Sequence, residues 1–410
     1  MRNKYNILAI AYAFEPNKGS EPEVGWKTIL ELSKYNKVVV ITRKNNKENI
    51  ESKIKTNKDA FNNIEIIYYD LPKIFINIKK YIKLNQIYYF IWQIALATKI
   101  KNICREYSID LCHHITFATI KVFSAGAFSG VPFIFGPVGG GERASYKFYK
   151  NIKNKFIIKE IIRDIDIKLC KYNPLNLYTY YKANKIFVTT NESMNILPKR
   201  YRSKCEVMQT IAIDNMIEEE TKTWDDNLTL LYVGNLLYWK GTNIIVDTLS
   251  AIDNLNVNFK MQIVGDGDQK DLIREKCKLY GIDSKVEFLG KLPREQVLNM
   301  YKDAHILFFP SLHDSGGMVV LEAMSKGTPT ICLNYGGPAV NVLNNINGVI
   351  VDGLDYDDIV YNLATSIKYL NDNRDKLKEL SSSCLKNLEY YSWSKKIKKM
   401  MSSYSKILNE

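Results

Sequence analysis

The sequence contains no C-x-x-C pair, no P-loop and no G-x-S-x-G. These absences argue against a structural zinc site, a P-loop nucleotide hydrolase and an α/β-hydrolase nucleophile. VGDGDQK supplies G-x-G without the third glycine of the dinucleotide fingerprint, which disfavours a nicotinamide dehydrogenase. Long hydrophobic runs are missing too. The longest, Ile87 to Ala97 (IYYFIWQIALA), falls short of the roughly 20 apolar residues that span a bilayer, and a buried helix is expected there. No repeat of solenoid length and no low-complexity tail occurs. MRNKYN runs directly into the strand-like ILAIAYAF, so no cleavable signal is expected. The seven cysteines (Cys104, Cys112, Cys170, Cys205, Cys277, Cys332 and Cys384) are odd in number and scattered, mostly within predicted strands and helices. They imply buried, reduced thiols and a cytoplasm-like compartment.

What is present is length and positive charge. A chain of 410 residues suits two domains, and 46% hydrophobic residues can fill two cores. The net charge of +13 and pI near 9.1 favour an anionic partner. The lysines are interspersed with Asn and Ile rather than gathered in one block, so a nucleic-acid arm is not expected. Two stretches are candidates to rest on an anionic membrane face, the alternative being a solvated basic surface. One is Ile87 to Ala97, flanked by Lys79, Lys80, Lys83, Lys99, Lys101 and Arg105; the other is YKFYKNIKNKFIIK, Tyr146 to Lys159.

Strand-like runs alternate with helical ones almost throughout, the signature of parallel α/β layers. Seven strands are predicted before residue 210, from Tyr5 to Gln209, and six more from Leu228 to Val351. The acidic, aperiodic DNMIEEETKTWDDN (Asp214 to Asn227) reads as a linker. The expected organisation is a first domain over 1–210, a linker over 211–227, a second domain over 228–388 and a C-terminal helix over 389–410 that crosses back to the first. Doubly wound sheets bind ligands at the carboxyl ends of their strands, so a cleft between two such domains is the expected site.

The richest stretch is SLHDSGGMVVLEAMSKGTP, Ser311 to Pro329, after the apolar AHILFFP. A helix is predicted from about Gly317, with Val320, Ala323, Met324 and Gly327 as its buried stripe and Glu322 roughly 160° to 200° away. A Ser-Gly-Gly turn at a helix start exposes backbone N–H groups to an anion. A second stretch, LYVGNLLYWKGTNI, ends a strand in glycine and places Lys240 where an ammonium can meet a diphosphate. In the first half, EPNKGSEPEVGW follows the first strand, with Gly19 permitting close approach and Glu21 available to an acceptor. HHITF and FGPVGGGE follow later apolar strands.

Together these segments resemble glycosyltransferase family 4, in a polysaccharide-assembly branch. The resemblance runs from Ala11 to the closing NLEYYSWSKKIKKM, where Trp393 matches a tryptophan preceding the last helix. It implies a GT-B fold, two Rossmann-like domains facing an interdomain cleft, and a retaining transferase that needs no metal and no cofactor. The expected donor is a UDP- or GDP-linked sugar, and the acceptor a lipid-linked or polysaccharide glycan. By resemblance, Glu322 binds the donor ribose, and Asp314, with seven residues between them, takes the first position of the family's E-x7-E. The amides of Gly316, Gly317, Met318 and Val319 would cradle the distal phosphate, and Lys240 matches the lysine that stabilises the leaving group. Asn235 stands where the family carries arginine. In the first domain the resemblance points to His113 or His114 at the reaction centre, with Gly19, Glu21, Gly139, Gly140 and Glu142 toward donor and acceptor. The D-x-D at Asp266 and Asp268 lies in a strand-to-helix turn, where no metal is expected, and Tyr335 to Pro338 suits a wall of the donor pocket. A cytoplasmic location, with contact to the inner membrane face, accords with this picture. Asn235 and Asp314 also leave room for a catalytically weak nucleotide-sugar-binding or scaffold protein.

Overall fold

The computed structural model describes residues 4–72, 85–150, 152–214, 222, 224 and 227–409. Lys79, Lys80 and Lys83, and most of the expected linker, lie outside them. The first sheet holds β1 (Asn6–Ala11), β2 (Lys37–Thr42), β3 (Ile64–Tyr68), β4 (Leu111–Thr116), β5 (Phe133–Val138), β6 (Lys185–Val188) and β7 (Cys205–Val207). Its order is β3-β2-β1-β4-β5-β6-β7, every pair parallel. The second holds β8 (Leu228–Val233), β9 (Phe259–Val264), β10 (Val286–Gly290), β11 (Ile306–Phe309), β12 (Thr330–Leu333) and β13 (Gly348–Val351), ordered β10-β9-β8-β11-β12-β13 and again parallel.

Inner strands such as β1 and β2 are apolar and buried almost throughout, as in a parallel sheet covered on both faces, while the edge strands β3, β7 and β10 are partly exposed. β11 and β12 are buried along their whole length. In both sheets the strand order reverses once, between β1 and β4 and between β8 and β11. Such a reversal opens a crevice at the carboxyl ends of the two central strands.

Two compact units result. One comprises the described residues of Met1–Gly141, Arg163–Thr210 and Trp393–Glu410; the other comprises Glu142–Ile162 and Ile211–Ser392. The sequence division runs the first domain continuously to 210, whereas Glu142–Ile162 packs with the second unit. Phe148 lies in that unit's core and Tyr149 packs against it, which is what holds the segment there.

Neither histidine of β4, where the resemblance points to a reaction-centre group, reaches solvent. His113 Nε2 donates to the Gly136 carbonyl at 2.6 Å, and Nδ1 accepts from the Tyr404 hydroxyl at 2.6 Å. His114 Nδ1 lies 2.8 Å from Ser124 Oγ, and its Nε2 faces the Phe117 carbonyl at 3.2 Å. Burial pushes His113 down to about 3 and His114 to about 4, so both rings are neutral core groups at ordinary pH. Strand periodicity marks a face but not a depth. Here both faces of β4 are covered.

Helix Trp393–Asn409 supplies Tyr404, which makes the hydroxyl a tie between the end of the chain and the centre of the first sheet. Tyr404→Phe leaves a buried ring nitrogen without its donor. The expected loss is about 1–3 kcal/mol of unfolding free energy in urea melts, with the secondary structure unchanged.

Candidate functional site

The crevice of the second sheet is built by the chain leaving β8 and β11. After β8 the chain turns at Gly234 and reaches a single 3-10 turn, Tyr238–Lys240, closed by Gly241 at φ +74°. A Cβ at Gly241 would overlap the Pro310 carbonyl just past β11, so glycine is required for the two strand ends to meet. This approach sets Lys240 Nζ 2.6 Å from Asp314 Oδ2, and 5.5 Å from the centroid of the Phe309 ring. Both side chains of the pair are 18% exposed.

Asp314 is held by more than its lysine. Its Oδ1 accepts from the amides of Gly316 at 3.0 Å and Gly317 at 2.7 Å, and its own carbonyl accepts from Gly337 N at 2.6 Å. Burial raises its pKa, but the Lys240 charge and hydrogen bond, with the two amides, outweigh burial and hold the carboxyl below its ordinary value. The second glycine pair sits directly against this loop. Gly336 has φ +64°, and a Cβ there would overlap the Asp314 carbonyl oxygen. Asn341 Nδ2 then donates to the Gly316 carbonyl at 2.9 Å, fixing the turn from its other side.

The amides of Gly316 and Gly317 therefore face Asp314, not outward, and a phosphate would have to displace that carboxylate. Met318 and Val319 open helix Met318–Met324, whose N-cap is Gly317 at φ +61°. The buried stripe of this helix is as the spacing predicts, with Val320, Ala323 and Met324 inside. Glu322, however, is not a solvated group on the far side. It lies 3.2 Å from Arg294 Nη2 and 3.5 Å from the buried Tyr301 hydroxyl, both on helix Arg294–Asp303. Asn235 is exposed in the turn after β8, and its carbonyl accepts from the Tyr232 hydroxyl at 3.0 Å.

One part of the site escaped the sequence. His313 Nδ1 contacts the Glu142 carbonyl at 2.9 Å, while its Nε2 lies 2.9 Å from Glu160 Oε2 and 2.5 Å from the Tyr149 hydroxyl. Glu160 Oε1 also accepts from Tyr238 at 2.7 Å, so one carboxylate ties the Lys240 turn to the residue preceding Asp314. Residues 149 and 160 lie over 150 positions from His313, a separation at which no local pattern operates. The one available signal was a histidine abutting the acidic position.

The other expected residues fall elsewhere. Gly19, at φ +65°, precedes helix Ser20–Ser33, and Glu21 in its first turn accepts the Ala118 amide. Burial raises the Glu21 carboxyl above its ordinary value, against the lowering effect of that amide. This places Glu21 at the crevice between β1 and β4. Gly139 exchanges backbone hydrogen bonds with Ala118 and Ile120, and Gly140 has φ +99°. Glu142, expected with them in the first domain, belongs to the second unit, where its side chain approaches Gly336. Asp266 caps the amide of Gly267, and Asp268 accepts from Gln269. Among the described residues no three His, Cys, Asp or Glu side chains converge as metal ligands.

Lys240→Gln removes the positive charge that offsets burial of Asp314. In the native pair the folded carboxyl titrates below its unfolded value, so the pair's stabilisation is complete above the unfolded pKa and disappears as pH falls through the folded one. Without Lys240, burial of the carboxylate is opposed by the two amides alone. The variant is expected to be roughly 1.5–3 kcal/mol less stable near neutral pH, with the deficit shrinking on acidification, as read by urea melts across pH.

Residues 215–383 match the family of Glycosyl transferases group 1, a stretch that contains Lys240, Asp314 and Glu322. An uncharacterized glycosyltransferase of Methanocaldococcus jannaschii is 33% identical over 137 residues, covering 33% of this chain and 35% of that protein. A D-inositol 3-phosphate glycosyltransferase of Mycolicibacterium smegmatis is 27% identical over 186 residues, covering 45% and 42%. The chain thus spans less than half the length of either relative. The crystal structure of HepE from Anabaena, in complex with UDP and glucose, superposes with a TM-score of 0.61 at 15% identity, over 98% of this chain and 99% of that one. Residues 215–383 are thus similar to the Glycosyl transferases group 1 family, and the chain has the fold class of the GT-B glycosyltransferases, with two parallel-sheet Rossmann-like domains.

Proposed function

We propose that this protein is a retaining, family 4-type hexosyltransferase that moves a sugar from a UDP- or GDP-linked donor to a lipid-linked or polysaccharide acceptor, without a metal. The observation that carries the reading is the Lys240–Asp314 pair at the reversal point of the second sheet, inside the group 1 domain. UDP and glucose in HepE, and the D-inositol 3-phosphate glycosyltransferase among the relatives, support a nucleotide-sugar donor.

The division of labour follows from donor and acceptor counts. A carboxylate offers about four lone-pair sites. Three on Asp314 are filled by Lys240, Gly316 and Gly317, leaving one, on Oδ2, for a hydroxyl of the donor sugar. The Lys240 ammonium has three N–H groups, one of them on Asp314, and the others can meet the diphosphate. As the bond from the anomeric carbon to the diphosphate oxygen breaks, the acceptor hydroxyl oxygen bonds that carbon on the same face and its proton passes to the departing diphosphate oxygen. Charge builds on the departing diphosphate, and Lys240 offsets it in a partly dry site. Glu322 would take the ribose, exchanging the exposed Arg294 for a sugar hydroxyl. A cytoplasmic location with peripheral contact to an anionic membrane suits a lipid-linked acceptor.

A panel of UDP, GDP and ADP sugars identifies the donor by thermal shift, since a ligand bound only by the native state raises its melting temperature. With that donor, Lys240→Ala is expected to lower turnover by roughly 10²–10³, and proton NMR of the product is expected to show the donor's anomeric configuration kept. Nucleotide binding with no transfer and no donor hydrolysis, in the wild type and Glu322→Ala alike, would instead favour a non-catalytic binding protein.

A further inference from the structure

One helix has its polarity inverted. Helix Asn154–Cys170 buries Phe156 and Ile167, yet the same face also buries Glu160 and Asp164. Its solvent side carries Ile158, Ile161, Ile162, Ile165 and Leu169, each between 45% and 64% exposed. At 100° per residue these five side chains fall within an arc of about 100°, along about 16 Å of helix. Scattered exposed apolar residues are ordinary on a soluble surface, but an aligned stripe is not.

The rim of the stripe is basic. Lys155 and Lys159 are exposed on one flank and Lys168 on the other, while Lys153 and Lys171 bracket the helix ends. Asp166, the acid on the exposed side, is neutralised by Lys121 at 2.7 Å. Tyr172, 68% exposed just past the C-terminus, adds an aromatic of the kind that sits at headgroup depth. An apolar face flanked by lysine is the pattern of a helix lying in a membrane interface. No described helix is long and apolar enough to cross a membrane, so the contact is one of depth and not of spanning. A second copy fits poorly, because it would bring together two chains that each carry a net charge of +13.

We infer that the exposed face of helix Asn154–Cys170 docks on an anionic bilayer, with the isoleucine stripe among the headgroups and acyl-chain ends and the lysines on lipid phosphates. This rests on the peripheral-membrane part of the proposed function and names the surface that serves it. The lysines anchor the helix by charge, and the stripe sets its depth, so binding needs both.

Co-sedimentation with vesicles of phosphatidylcholine alone, and with about a third phosphatidylglycerol, tests it. Wild type is expected to partition onto the anionic vesicles and not the neutral ones, with binding weakened by salt. Ile161→Glu/Ile165→Glu is expected to reduce partitioning at least tenfold, and Lys155→Gln/Lys159→Gln by roughly fivefold per lysine. Circular dichroism and donor hydrolysis in solution should be unchanged in both variants, since none of these side chains touches the Lys240–Asp314 site. Wild type that binds while the isoleucine variant binds equally would overturn the assignment of this helix and leave peripheral binding standing. Wild type that ignores anionic vesicles would overturn both. A dimer in sedimentation velocity that the isoleucine variant dissociates, with no vesicle binding, would assign the stripe to self-association and contradict the inference.

Discussion

A carboxylate taken out of water has to be met by donors, and in this protein Asp314 is the carboxylate around which the second unit is arranged. Its side chain takes an ammonium and two amides, and its carbonyl takes a third amide from Gly337. These four donors arrive from three segments: Lys240 from the turn after β8, Gly316 and Gly317 from the turn before helix Met318–Met324, and Gly337 from the glycine pair after β12. Glycine occurs wherever these segments touch, because a Cβ at Gly241, Gly336 or Gly337 would collide with neighbouring backbone. The charge balance at Asp314 and the tight backbone contacts are one constraint. Loosening either would move Lys240 relative to the crevice.

Support for this loop comes from behind it. His313, Glu160, Tyr149 and Tyr238 form a largely buried polar group in which one glutamate meets both Tyr238 and His313. Buried polar networks of this type fix geometry when their members are satisfied. The network explains why Glu142–Ile162 belongs with the second unit although the rest of its neighbourhood in sequence belongs with the first. It also explains why helix Asn154–Cys170 turns Glu160 inward.

The thirteen strands among the described residues were legible because parallel strands in covered sheets read as short apolar runs between turns, and each predicted run overlaps an observed strand, with Leu228–Val233, Ile306–Phe309 and Thr330–Leu333 placed to the residue. Lys240, Asp314 and Glu322 were legible as motif positions, but their partners were not. Arg294 is 28 residues from Glu322 and Glu160 is 153 from His313, so those contacts exist only once the sheet has brought the segments together. The depth of the histidine doublet was not legible, for a different reason. A strand end beside a crevice and a strand end inside the core carry the same residues, and burial of His113 by Tyr404 depends on a helix nearly 300 positions away.

Hydrogen–deuterium exchange with and without a nucleoside diphosphate sugar locates the ligand most directly. If Lys240 and Asp314 form the donor site, protection should concentrate in the turn from Gly234 to Gly241 and in Ser311 to Val319, with a weaker effect at the start of helix Arg294–Asp303. Binding that protects other segments of the second unit and leaves these two unchanged would contradict the account.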